Sequence, residues 1–183
     1  MIPPTASSAI PRRSGALMMV SIVVMLAGCA PTPEPTPTPT AVFASEEEAF
    51  AAAEETYRAY TDALNAVDLD DPATFEPVFD LTSGDFEAAD RQTLSELHAE
   101  KYAFTGQMTV VRFDGISSHS SFEQVEASVC VDVSGSDVVD ESGNSVTSPD
   151  RPDMNPLRVT FVLSDGRLRV DRADRDPGTA CSG

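Results

Sequence analysis

The run FEQVEASVCVDV, Phe122–Val133, alternates apolar and polar side chains with a period of two. Val125, Ala127, Val129, Val131 and Val133 fall on one face of an extended chain, and Gln124, Glu126, Ser128, Cys130 and Asp132 on the other. That pattern predicts a strand with one face in a core and one outside it. Downstream, Leu157–Ser164 and Arg167–Asp171 flank Asp165-Gly166, a dipeptide that favours a type I′ hairpin turn. A two-residue loop pairs Leu163 with Leu168 and Phe161 with Val170, placing all four on one face. Upstream, Thr109, Val111 and Phe113 alternate with Met108, Val110 and Arg112, predicting a strand partly covered on both faces. The second half therefore reads as about four strands, with Val138, Val139 and Val146 available for a minor hairpin around Ser142-Gly143.

The preceding stretch has a helical period instead. Ser45 followed by Glu48 is a capping-box signature. Phe50, Ala53, Tyr57, Tyr60, Leu64 and Val67 then recur every three or four residues, which predicts one buried face. Asp71-Pro72 starts a short second helix, which Pro77 is expected to end or bend. A third helix is expected from Asp85 to Tyr102, capped near Ser83 or Asp85, with Phe86, Ala89, Leu94 and Leu97 inward. Helices first and strands second predict an α+β domain, with N-terminal helices packed on a curved antiparallel sheet.

The chain is 183 residues long, with Lys+Arg 12 against Asp+Glu 30 and a net charge of −18. That length suits one domain and an appendage. A single lysine, Lys101, and a pI near 4.2 argue against a nucleic-acid partner. Arg12 and Arg13 precede an apolar run, Gly15–Ala27, too short to span a bilayer and suited to a signal-peptide core. It ends in Leu26-Ala27-Gly28-Cys29. That tetrapeptide resembles the lipobox of bacterial lipoprotein precursors. The resemblance implies cleavage between Gly28 and Cys29 and a diacylglyceryl anchor with palmitate-type chains on Cys29. The alternative is an ordinary secretory leader with an unrelated cysteine.

Lipidation of Cys29 leaves Cys130 and Cys181 as an even pair, expected as a disulfide outside the cytoplasm, with two free thiols as the alternative. Residues 31–40, PTPEPTPTPT, forbid helix and sheet and favour an extended stalk of roughly 30 Å. The expected organisation is thus a leader over 1–28, a lipidated cysteine and stalk over 29–42, and one domain over 43–183. Once the leader is removed, 10 basic residues face 30 acidic ones, a net charge of −20. Attachment to an anionic membrane then relies on the lipid, at the extracytoplasmic face.

The element order resembles the nuclear transport factor 2-like fold, which includes ketosteroid isomerases and polyketide cyclases. That resemblance implies a cone of helices and sheet with an open mouth. Cys130-Val131-Asp132-Val133-Ser134, Val138-Val139-Asp140-Glu141-Ser142-Gly143, Asp150-Arg151-Pro152 and the terminal Cys181 also resemble a group of actinobacterial lipoproteins. This second resemblance implies location and fold, and no chemistry.

An isomerase of the cone type needs a carboxylate base and a phenol or protonated acid. Tyr57, Tyr60 and Tyr102 are the only phenols, and Asp62 or Asp114 are the acids expected near a mouth. No motif links them, so no catalytic residue is assigned. His98 and His119 lack zinc-ligand spacing, and the run Ser117–Ser121 reads as a turn. Asp137, Asp140, Glu141, Asp150 and Asp153 make Ser134–Pro156 acidic, without the spacing of a calcium loop. Asp171, Asp174 and Asp176 also lack it, so no metal or cofactor is expected.

Three functions remain. The favoured one is a non-catalytic module binding a small ligand or an envelope protein; the others are a cone enzyme and a structural envelope protein. An apolar cavity of at least ~300 Å³ holding an acid of raised pKa would favour the enzyme. A filled interior would exclude both ligand binding and catalysis.

Overall fold

A computed structural model describes residues 41–119 and 121–181, so the leader, Gly28, Cys29 and residues 29–40 of the stalk lie outside the described residues. Helix α1 (Glu46–Asn65) starts where the Ser45 hydroxyl accepts the Glu48 N–H at 3.2 Å. Glu48 Oε2 reaches back to accept the Ala44 N–H at 2.7 Å. Glu46, Glu47 and Glu48 also face the positive end of the helix dipole. Ala49, Ala53, Tyr57, Tyr60 and Thr61 are buried along its inner face, with Phe50 and Leu64 half-buried; Val67 packs from beyond the helix end.

Asp71 accepts the Ala73 N–H at 3.1 Å and caps a 3-10 turn, Pro72–Phe75. Pro77 does not end the helical segment as expected. It lies in the first turn of α2 (Glu76–Asp80), where a missing N–H breaks no helical bond. Helix α3 (Gly84–Ala99) is shorter than expected because Lys101 turns left-handed at φ 60. The Tyr102 N–H then closes back on Leu97 O at 3.1 Å, a Schellman arrangement with lysine at the usual glycine position. Its inward face also differs from expectation. Leu94 is buried and Phe86 and Leu97 are half-buried, but Ala89 is exposed and Asp90 is half-buried.

Among the described residues six strands follow: β1 (Ala103–Gly106), β2 (Thr109–His119), β3 (Gln124–Asp132), β4 (Ser136–Val139), β5 (Met154–Ser164) and β6 (Arg167–Arg175). The main sheet is antiparallel in the order β2-β3-β5-β6, and β1 pairs with β4 in a separate ribbon. β1 was not anticipated, since the third helix was expected to run through its approach. Val139 bridges Ser145, as in the minor hairpin expected there. Leu163 pairs with Leu168 and Phe161 with Val170, around Asp165 at φ 53 and Gly166 at φ 79, the register the dipeptide predicts.

β2 departs from simple alternation. Val111 is skipped in the pairing, so Val110 opposite Val131 and Phe113 opposite Val129 share the inner face. Val111 is left 48% exposed, and Ile116, skipped in the same way, is 44% exposed. The strand continues through Ser117, Ser118 and His119, which were expected in a turn. The turn lies just after, with Ser121 and Phe122 at φ 58 and 71. Inward-facing Gly115 has no room for a Cβ, because the ring of Phe50 on α1 lies against it.

Val125, Ala127, Val129, Val159, Phe161 and Val170 are fully buried between the sheet and the helices. The α2–α3 connection is tied to β6 by Val170 N–H to Leu81 O and Ser83 N–H to Val170 O, both 2.9 Å. On the outer face Cys130 and Cys181 form a disulfide with Cα atoms 5.5 Å apart. It draws the C-terminal segment across the sheet, where Thr179 Oγ1 and Ser128 Oγ are 2.9 Å apart. No helix among the described residues is long and apolar enough to cross a membrane.

Candidate functional site: the interior of the cone

α1 and α3 cover the concave side of the sheet without filling it. A cavity of about 280 Å³ remains, walled by Tyr57 and Tyr60 of α1, Phe86 and Asp90 of α3, and Asn155 and Leu157 of β5. A neighbouring cavity of about 290 Å³ opens towards the β1–β4 ribbon, with Phe104, Asp137 and Arg151 on its far side. The two share Tyr60, Leu64, Asp90 and Met108 as a common wall.

Among the described residues Asp90 is the one carboxylate lining the inner cavity. Tyr60 donates its hydroxyl to Asp90, 3.1 Å from Oδ2 and 3.4 Å from Oδ1. Burial pushes the Asp90 pKa from 3.8 up to about 6, against the opposing effect of that hydrogen bond. Tyr60 and Tyr57 are both held above the ordinary phenol range, first by burial and then by the nearby Asp90 charge. The Tyr57 hydroxyl makes no hydrogen bond among the described residues, and Asn155 Oδ1 is buried without a partner. Thr61, also on the wall, is satisfied by the Tyr57 carbonyl at 3.0 Å. The cavity thus presents an apolar lining with one desolvated acid and two polar groups free to bond.

The residues singled out in the sequence are distributed differently. Tyr57 and Tyr60 reach the cone, while Tyr102 packs against the core beyond α3. Asp62 is exposed on an outer groove beside Arg58, and Asp114 is ion-paired with Arg112 on the outer face. Neither is the acid of the cone; that acid is Asp90. His98 sits with Nδ1 2.6 Å from Leu69 O and its ring edge-on to Phe75, a packing role. His119 ends β2 beside Ser117.

Asp140 accepts from the Ser142 and Asn144 backbone, and Asp137 from Ser145 and Val138, so these acids shape their own turns. Asp171 accepts from Ser83, and Asp176 from Gly178 N–H and Arg158. Among the described residues no three His, Cys, Asp or Glu side chains gather to hold a metal.

Helices over one side of a curved antiparallel sheet, with a cavity between them, define the nuclear transport factor 2-like cone. Solved structures share it. One is a candidate aromatic ring hydroxylase from Novosphingobium aromaticivorans, at TM-score 0.51 and 14% identity, covering 72% of this chain and 90% of that one. Another is the intermembrane space region of the chloroplast protein ARC6, at TM-score 0.51 and 13% identity, covering 69% and 95%. At such identities the likeness establishes the fold alone, and two so differently described proteins on one scaffold show why. No protein-family model and no curated protein sequence matches the chain.

Proposed function

We propose that this chain is a lipid-anchored, extracytoplasmic binding domain whose cone takes one small apolar ligand. The observation that carries the reading is the unfilled inner cavity of about 280 Å³, with Asp90, Tyr57 and Asn155 on its walls. A concave cleft with a largely apolar wall and a few placed polar groups is the usual form of a small-ligand site. The anchor rests on Leu26-Ala27-Gly28-Cys29, and the Pro/Thr stalk would hold the domain away from the bilayer.

The test is titration of the full chain in detergent with N-phenyl-1-naphthylamine, a neutral fluorescent probe. Leu64→Trp and Met108→Trp, each placing an indole in the wall shared by both cavities, serve as blocked controls. Saturable binding of one probe per chain, lost in both controls, is the expected result. Equal signal from wild type and both folded controls contradicts it.

One observation favours catalysis as a second reading: Asp90, at about 6, is poised to take and return a proton near neutral pH. A small β,γ-unsaturated ketone isomerised by wild type and not by Asp90→Asn would establish that reading. No turnover by wild type would leave binding alone.

A further inference from the structure

Resting on the binding reading above, we propose that the cone's ligand is an apolar organic cation, an ammonium held between the Asp90 carboxylate and the rings of Tyr57, Tyr60 and Phe86. The first ground is charge. Asp90 is half-buried, and none of the ion pairs among the described residues includes it; its hydrogen-bond partner is the neutral Tyr60 hydroxyl. A desolvated carboxylate without a cation is costly, and a bound cation relieves that cost where a neutral ligand does not.

The second ground is the aromatic wall. The Tyr57 and Tyr60 centroids are 5.8 Å apart at 48°, and those of Tyr60 and Phe86 are 5.8 Å apart at 53°. Three rings on the wall of one small cavity, those of Tyr57 and Phe86 each tilted against Tyr60 and with a carboxylate among them, suit an ammonium by its attraction to ring faces. The third ground is the remaining polarity. Asn155 Oδ1 is an orphaned acceptor, and no lysine or arginine among the described residues lines the inner cavity. An anion therefore finds no partner there, and the net charge of −18 draws cations towards the protein.

The other charged groups around Asp90 do not supply the missing cation. Arg151, across the outer cavity, donates to the carbonyls of Val133 and Ser136, and the pKa of nearby Asp137 is lowered first by hydrogen bonds from Thr147 and Ser145 and least by Arg151. Arg91, one residue along α3, lies over the Phe79 ring and pairs with Glu87. Tyr57 and Tyr60 stay neutral throughout the ordinary pH range. Asp90 is thus the group near the inner cavity whose charge changes around pH 6.

The experiment displaces N-phenyl-1-naphthylamine from the full chain with benzyltrimethylammonium, benzyl alcohol and phenylacetate at pH 7.5. The ammonium is expected to compete at a concentration at least about tenfold below that of the alcohol, with phenylacetate weakest. In Asp90→Asn, whatever its own affinity for the probe, ammonium and alcohol should compete within about twofold of each other. Lowering the pH below about 6 should weaken ammonium binding to wild type as Asp90 takes up its proton. Alcohol competing as well as ammonium, with the probe still bound, overturns the cation inference alone. Absence of saturable probe binding overturns the binding reading and this inference together.

Discussion

Asp90 couples the chemistry of the cone to the stability of the domain. Its folded pKa of about 6 lies above the ordinary 3.8, so the folded state holds this proton more tightly than the unfolded chain does. Ionised Asp90 therefore opposes folding above pH 6, and that penalty fades as the pH falls through 6 towards 4. Asp90→Asn is expected to raise Tm at pH 7.5, with the difference shrinking to nothing near pH 4; scanning calorimetry across that range checks it. A difference independent of pH would contradict the assignment. Gly115 has a simpler role, since a side chain there meets the Phe50 ring. Gly115→Val should cost about 1–3 kcal/mol in denaturant unfolding, through displacement of α1 from the sheet. Neither role was legible in the sequence. The apolar pattern of α3 selected Ala89 as inward, and a buried acid leaves no mark on hydrophobic periodicity. Tyr57 and Tyr60 were legible because they lie on the apolar stripe of α1.

At the scale of elements, what the sequence revealed and what it hid divide by mechanism. The β5–β6 register followed from Asp165-Gly166, because turn geometry and pleat fix the same pairing. β2 could not be phased, since the skipped Val111 and Ile116 are invisible to a period of two. The end of α3 was hidden by Lys101, which takes a left-handed conformation that usually signals itself as glycine. Two elements can be tested through their fastenings. Gly166, at φ 79, should lose about 1 kcal/mol on replacement by Ala, and Asp165→Asn should be close to neutral. The Cys130–Cys181 disulfide spans 51 residues, so Cys130→Ser or Cys181→Ser should cost up to about 4 kcal/mol. The double variant should lose no more than either single one, because one bond is removed in every case. Urea titration of the oxidised wild type and the three variants measures this.

For the whole molecule, sequence and structure address different halves of the problem. The proposed anchor rests on the N-terminal pattern, and the proposed ligand on the cone. Cys29→Ser is expected to release the protein from the membrane fraction, and globomycin to accumulate its precursor; membrane retention of the variant would contradict the anchor. The cone depends on one physical claim, that the fold partly withdraws the Asp90 carboxyl from water while leaving space beside it. Carbon-13 NMR of the aspartate carboxyls, assigned by comparison with Asp90→Asn, measures that claim. A midpoint at about 6, moving down when benzyltrimethylammonium is added, is the predicted result. A midpoint at the ordinary 3.8, unchanged by the cation, would mean a solvated surface acid and no cone site.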